Sequence, residues 1–385
     1  MEIKSFSMNW HYPTAVRVGP GRIAELPKVC SQLGMRAPLL VTDPGLAALP
    51  MVEAALQSCR DAGLQAGLFS AVKGNPTSGN VHDGVAALKA GGHDGVIAFG
   101  GGSAIDAAKA IALIANQSIS LWEAMKPSNV DVSKMLPVVA VPTTAGTGSE
   151  VGQAAVISDD ETHTKRIIFH TRMVPQMVIL DPELTVGLPA KLTAATGMDA
   201  LAHNLEAYCV PLFHPMAEGI ALEGMRLVKE FLPRATKNGG DIEARTQMLV
   251  ASTMGCVAFQ RGLGAIHALS HSLGALYDSH HGLLNAIVMP YVLQLNRPAI
   301  EQEIARAARY LDLPKQNFDG MLDWVLELRS ELEIPHTLAA IGIDDSQAET
   351  IGGMSIKDPS ASTNPIRLEA AQYQQLFLNA LNGVL

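Results

Sequence analysis

Along the first half of the chain, short apolar runs alternate with stretches of helical periodicity. A β-rich Val-Arg-Val lies within residues 14–21 and ends in Gly-Pro-Gly, and the pattern then predicts a helix over 22–33. A fully apolar strand over 39–42 runs into Asp43, with Pro44 and Gly45 marking the turn. Helical text continues to residue 62 and is followed by a strand over 65–69. The loop KGNPTSGN leads to a helix over 81–90, and DGVIAFGGGS holds a strand from Val96 to Phe99. A helix of good formers to about residue 115 and a strand over 136–141 extend the series. This cadence predicts an open, mostly parallel sheet. From residue 180 the text changes: DPELTVGLP reads as a linker, and beyond it the periodicity is helical almost to the end. The expected organisation is an α/β Rossmann-like parallel-sheet domain over residues 1–182, followed by an all-α domain over residues 183–385.

Composition narrows the function classes. At 385 residues, 48% apolar and 17% charged, the chain has material for two large cores. With 28 Lys and Arg against 37 Asp and Glu, and no basic run, nucleic acid is not an expected partner. No basic leader feeds an apolar stretch, and no window of about 18 uncharged apolar residues occurs, so a membrane is not expected and a cytoplasmic location is. Four cysteines without C-x-x-C spacing read as free thiols.

The candidate chemistry gathers in two places. Residues 262–282, GLGAIHALSHSLGALYDSHHG, hold four of the twelve histidines. His267 and His271 are one helical turn apart, and the pair His280 and His281 follows before Gly282. In TGMDALAH, Asp199 and His203 repeat the same step. A carboxylate with two or three imidazoles suits divalent Fe, Zn, Mn, Co or Ni, assembled here from two separated helical segments. Partly buried structural histidines are the plainer alternative, and spacing alone leaves both open. Burying Asp199 with neither cation nor donors would cost several kcal/mol, which weighs toward a site.

The second place is the turn GGGSAIDAAKA, between an apolar strand and a helix. Its glycines let the backbone approach an anion, Ser103 can cap the helix, and the first N–H groups face a phosphate. It lacks the G-x-G-x-x-G spacing. Asp43, ending a neighbouring strand, is placed to accept an adenosine ribose hydroxyl and to repel a 2′-phosphate, which favours NAD over NADP. A later strand runs into PTTAGTGSE, again rich in small hydroxyl residues and glycine.

Taken together, GGGSAIDAAK, PTTAGTGSEV, DPELT, GMDALAHNLEAY, GLGAIHALSHSLGALYDSHHGLLNAIVMP and STNPIRL span nearly the whole chain. In these segments the chain resembles the iron-containing (group III) alcohol dehydrogenases, which include lactaldehyde reductase, 1,3-propanediol dehydrogenase and butanol dehydrogenases. The resemblance implies a dehydroquinate synthase-like architecture with the cofactor meeting the metal in a cleft between the halves. It implies Asp199, His203, His267 and His281 as ligands of a divalent metal, Fe²⁺ first and Zn²⁺ second. It assigns His271 to proton transfer, Gly101, Gly102 and Ser103 to the pyrophosphate, Asp43 to the ribose, and Thr143 and Thr144 to the adenine side. Asn75 and Lys165 resemble further NAD contacts.

The implied activity is a metal-dependent NAD(H) alcohol dehydrogenase or aldehyde reductase acting on a small primary alcohol or aldehyde. The implied assembly is a homodimer or higher homo-oligomer, with an N-terminal strand as the candidate contact. A glycerol-dehydrogenase-like polyol oxidoreductase and an inactive metal- and NAD-binding protein are the alternatives. A dehydroquinate synthase chemistry would need a Lys and Arg cluster that the helical half lacks near its histidines. Two departures from the family pattern stand out. His280 replaces a usual proline and offers either an alternative ligand or a group that tunes the site, with a partly exposed histidine packing at the cleft as the plainer reading, and the small residues at Gln153-Ala154-Ala155 hint at a roomier substrate pocket.

Overall fold

The computed structural model describes Tyr12 and residues 14–162 and 164–385. The chain divides into two compact units, Tyr12–Thr144 with Gly148–Gly187, and Leu188–Leu385 with Ala145–Thr147.

The first unit is built on strands β1 (Ala15–Val18), β2 (Pro38–Val41), β3 (Gly67–Phe69), β4 (Gly95–Gly100), β5 (Val138–Pro142), β6 (Ala154–Ser158), β7 (Lys165–Phe169) and β8 (Met177–Leu180). Six of them form a parallel sheet in the order β1-β8-β5-β4-β2-β3. Strands β2, β4 and β5 are buried at every position, as continuous apolar runs in a covered parallel sheet require. The interleaved helices are α1 (Leu26–Gln32), α2 (Pro44–Ala47), α3 (Pro50–Asp61), α4 (Ser78–Ala90) and α5 (Gly102–Ile114). From β2 the chain steps outward to β3, and from β4 it steps the other way to β5, so the strand order reverses between β2 and β4. In open sheets of this kind the crevice at that reversal is where ligands bind.

Three differences from the sequence expectation have local causes. Helix α4 starts three residues before its apolar periodicity does, because Thr77 and Asn80 close a reciprocal capping box. The antiparallel pair β6–β7 and the strand β8 were not anticipated. β6 alternates buried and half-buried positions over only five residues, too short a run to stand out from a loop. The stretch read as a linker instead folds as a 3-10 turn, Pro182–Thr185. Its cap Asp181 also accepts hydrogen bonds from the Gly21 and Ile23 N–H groups, fixing the start of the unit to its end.

The second unit contains helices α6 (Ala190–Cys209), α7 (Pro215–Lys237), α8 (Ile242–Ala258), α9 (Ala265–Tyr277), α10 (His281–Tyr310), α11 (Phe318–Glu331), α12 (Ala348–Ser355) and α13 (Ala370–Asn382). No strand occurs in it among the described residues. Many core positions of α6 are alanine, which lets its neighbours approach closely, and Asn204 spans from the Ala200 carbonyl to the Ala251 carbonyl of α8. No single described helix is long and apolar enough to cross a membrane.

One buried cation organises this unit. Arg261, only 1% exposed, sits between α8 and α9 and donates to the carbonyls of Ala207, Tyr208, Val210 and Leu212 at 2.6 to 3.1 Å. Ala207 and Tyr208 are among the acceptors that the end of α6 leaves without intrahelical partners, and Val210 and Leu212 belong to the turn that follows. Glu218 lies 3.1 Å away and balances the charge. Replacing Arg261 by alanine would orphan several buried carbonyls together and is expected to cost about 3 kcal/mol or more. Urea unfolding should show the midpoint drop; an unchanged midpoint would mean that the carbonyls find other partners.

Candidate functional site

In the α/β unit, the residues expected around the cofactor gather at the carboxyl ends of β2, β4 and β5. β4 ends at Gly100 with φ of +146°, where a Cβ would lie 2.8 Å from that of Ala104. Only glycine makes this turn without strain. Gly101 follows as the extended N-cap of α5 and supplies no side-chain cap, so the N–H groups from Gly102 onward open the helix toward an anion. Ser103 is not the cap that its sequence position suggested: it lies inside the first turn of α5, and its Oγ donates to the Gly74 carbonyl. That bond ties the glycine turn to the loop bearing Asn75, whose Oδ1 accepts from Lys165 Nζ at 3.0 Å. The Thr143 N–H donates to Gly100 O at 3.0 Å, and Thr144 Oγ1 would lie 3.3 Å from a Cβ on Gly101. Asp43 follows β2, which pairs directly with β4, and one of its carboxylate oxygens is engaged by the Leu46 N–H as the cap of α2.

An ion pair inside the same motif, with its lysine buried, was not anticipated. Lys109, 1% exposed, donates to Ser149 Oγ at 2.6 Å, to Ser149 O at 3.0 Å and to the Ala154 carbonyl, and lies 3.1 Å from Asp106. Asp106 accepts in turn from Ser149 Oγ and from the Val156 N–H. The ion pair thus holds the loop after β5 against α5. Its signal was the i,i+3 spacing of opposite charges on a helix that is otherwise apolar. Ala155 is fully buried, so of the three small residues expected to widen a pocket it cannot line one.

In the helical unit, Asp199 and His203 rise from α6, His267 and His271 from α9, and His281 opens α10. The cluster is therefore carried by three helices rather than two, because Asp278 takes the left-handed conformation that ends α9 before His281. Asp199 is 2% exposed. Its Oδ1 lies 3.8 Å from His203 Nδ1, 3.8 Å from His267 Nε2 and 3.6 Å from His281 Nε2. Around a tetrahedral ion with bonds of about 2.1 Å, donor atoms are about 3.4 Å apart. Asp199, His203 and His267 each offer an atom within 4.8 Å of the others.

Burial and hydrogen bonding act on the donor atoms as well: burial works to lower the His267 pKa, and the Glu206 and Asp199 carboxylates raise it above its usual value. The His267 Nδ1–H donates to Glu206 Oε2 at 2.6 Å, which leaves the lone pair on Nε2. Burial pushes His203 down to about 4 against the pull of Asp199, keeping it neutral, and its buried Nδ1 has no hydrogen-bond partner. Asn285 Nδ2 donates to Asp199 Oδ1 at 2.7 Å and also lies 3.2 Å from His267 Nε2 and 3.1 Å from His281 Nε2. One amide nitrogen thus stands against a carboxylate oxygen and two ring nitrogens, the kind of O and N donors that a divalent cation takes together. The residues present fit a metal.

Glu206 and Asn285 were not anticipated as supports. Glu206 lies three residues past His203 on the same face of α6, and Asn285 four past His281, spacings that would have pointed to both. His271 stands beside the cluster with its ring stacked on that of His281, centroids 5.2 Å apart, and its Nδ1–H donates to Asp358 Oδ2 at 2.9 Å. Burial works to raise the Asp358 pKa, but His271 and the Ser360 N–H hold it below the usual carboxylate value. His280 has a plain structural role: its Nδ1 accepts from the Leu283 N–H and caps α10.

Two family models cover the chain, "Iron-containing alcohol dehydrogenase" over residues 13–182 and "Fe-containing alcohol dehydrogenase family, C-terminal" over residues 193–381. The chain belongs to the iron-containing alcohol dehydrogenase family. It is a metal-dependent alcohol and aldehyde oxidoreductase that uses NAD. It is 38% identical over 382 residues to a 4-hydroxybutyrate dehydrogenase of Cupriavidus necator, covering 95% of this chain and 98% of that one. An NAD-dependent methanol dehydrogenase of Bacillus methanolicus is 34% identical, with 97% and 100% covered. Among solved structures, that of a 1,3-propanediol oxidoreductase superposes with a TM-score of 0.92 at 32% identity, covering 97% of this chain and all of that one.

In this alcohol dehydrogenase a close helix approach shapes the Asp199 cluster. A Cβ on Gly282 would lie 2.3 Å from Ala195 O and 3.1 Å from Asp199 Cβ. Gly282→Ala should push the start of α10 off α6, carrying His281 away from Asp199. Metal content after dialysis is expected to fall about 10-fold or more while far-UV circular dichroism is kept. Full metal retention would show that His281 is dispensable.

Proposed function

We propose that the enzyme interconverts a small primary alcohol and its aldehyde, with Asp199, His203, His267 and His281 holding Fe²⁺, or Zn²⁺ in its place. The observation that carries this reading is the convergence of buried donor atoms beside His271, a histidine whose own Nδ1 proton is already committed to Asp358. When bound, the metal supplies Lewis-acid polarisation of the substrate oxygen, and NAD supplies or accepts the hydride.

The chain's own residues do the rest. Asp199 contributes the one negative charge of the ligand set, and Glu206 holds the His267 tautomer that can ligate. His271 Nε2 takes the alcohol proton during oxidation and returns it during reduction. Gly101, Gly102 and the start of α5 bind the pyrophosphate. Ser103 joins the glycine turn to the Asn75 loop, with Lys165 adding positive charge there. Asp43 accepts the ribose hydroxyl and disfavours a 2′-phosphate, while Thr143 and Thr144 flank the adenine side. The relatives named for 4-hydroxybutyrate, methanol and 1,3-propanediol all act at a terminal hydroxyl, which supports a primary alcohol.

We also propose a homodimer or higher homo-oligomer in the cytoplasm. The position of β1 at the edge of the sheet among the described residues supports the first, and four free, buried cysteines support the second. The N-terminal segment expected to make the subunit contact lies outside the described residues.

The test is aldehyde-dependent oxidation of NADH, with NADPH alongside, on protein stripped by chelator and reloaded anaerobically with Fe²⁺ or Zn²⁺. Turnover restored by metal and at least about 10-fold faster with NADH is expected. His267→Ala should lose metal, whereas His271→Ala should keep metal and turn over about 100-fold more slowly. Turnover indifferent to metal would overturn the ligand set, and metal lost from His271→Ala but kept by His267→Ala would reverse the two roles. NADH binding without turnover on a broad panel would point to an inactive binding protein.

A further inference from the structure

The stretch from residue 355 to 364 makes three contacts along the helix that carries His267 and His271 and one just before it. Ser355 Oγ donates to Ser272 Oγ at 3.0 Å, and Thr363 Oγ1 donates to the Leu263 carbonyl at 2.7 Å. Asn364 Oδ1 accepts from the Ala265 N–H at 3.0 Å, satisfying one of the free donors at the start of α9. Between these anchors stands Asp358, 87 residues from His271 in sequence.

The two oxygens of Asp358 have separate tasks. Oδ1 accepts from the Ser360 N–H at 2.8 Å and caps the 3-10 turn Pro359–Thr363, which is all that local folding asks of the residue. Oδ2 accepts from His271 Nδ1 at 2.9 Å. A carboxylate oxygen is only an acceptor, so the Nδ1 proton stays on the ring and the lone pair is confined to Nε2.

We infer that Asp358 is the positioning residue of the proton-transfer step, fixing the ring plane and tautomer of His271 from the anchored 355–364 segment. This rests on the reading that His271 moves the proton. In oxidation the alcohol O–H proton passes to His271 Nε2, the carbinol C–H bond breaks as hydride leaves to NAD⁺, and the C=O bond forms. The imidazolium then faces the Asp358 carboxylate until its proton passes to solvent. The products are aldehyde, NADH and one proton, and reduction runs the same path backwards. Asp358 exchanges no proton.

Asparagine at position 358 keeps an acceptor for the Ser360 N–H but can turn its amide toward His271, donate to Nδ1 and stabilise the wrong tautomer. In the metal-loaded enzyme, D358N is expected to lower kcat about 10–100-fold while metal content and KM for NADH stay within about twofold. Asp358→Glu should recover part of the loss. The double variant with His271→Ala should be no slower than His271→Ala alone, since Asp358 then has nothing to position. The inference is overturned if D358N turns over like the native enzyme while His271→Ala is slow, or if the two losses multiply, which marks Asp358 as a structural cap. If His271→Ala itself keeps native kcat, the proton-transfer role fails first and takes this inference with it.

Discussion

The helical unit depends on a carboxylate that has been taken out of water. Asp199 is surrounded by imidazoles from three helices, and a lone charge in such a place costs several kcal/mol unless something positive or donating faces it. Asn285 provides one donor, and the remaining lone pairs ask for a cation. Much of the surrounding architecture can be read as what is needed to hold these mutually repelling acceptors together. Arg261 fastens the end of α6 to the approach to α9, Gly282 allows α10 to touch α6, and Glu206 orients His267 while also accepting from the Ile266 N–H. A divalent cation held by these donors would couple its binding to the folding of the unit.

The α/β unit solves a related problem with the opposite sign. Its glycine turn leaves N–H groups bare for an anion, and the loops around it are held by polar groups buried nearby. Lys109 and Asp106 pin the loop after β5, Ser103 pins the loop of Asn75, and Asp181 closes the unit's first and last segments. In a chain with only 17% charged residues, Lys109 and Asp181 are buried at these junctions, where they fix loop positions that apolar packing alone would leave free.

The sequence made the sheet legible because buried parallel strands are continuous apolar runs, and the helical half legible through its long 3.6-residue periodicity. Asp199 with His203, and His267 with His271, stood out as i,i+4 pairs, whereas His281 was visible only in its pair with His280. What stayed hidden was of two kinds. Short half-buried strands such as β6 and β7 carry too few residues to show a period, and α4 began earlier than its apolar face because a capping box, not hydrophobicity, starts it. The supports of the site were hidden for another reason. Asp358 meets His271 across 87 residues, and no local pattern reports a contact of that span. Glu206 was within reach of pattern reading but looked like an ordinary polar residue until its burial was known. His280 shows the converse, a histidine beside His281 whose observed task is to cap a helix.

The most direct test of this account is anomalous diffraction at the iron edge from crystals grown with Fe²⁺ under anaerobic conditions. One strong peak is predicted within bonding distance of Asp199, His203, His267 and His281, about 2.0–2.2 Å from each donor atom. A peak elsewhere in the chain, or none at this cluster in iron-replete and active crystals, would contradict it.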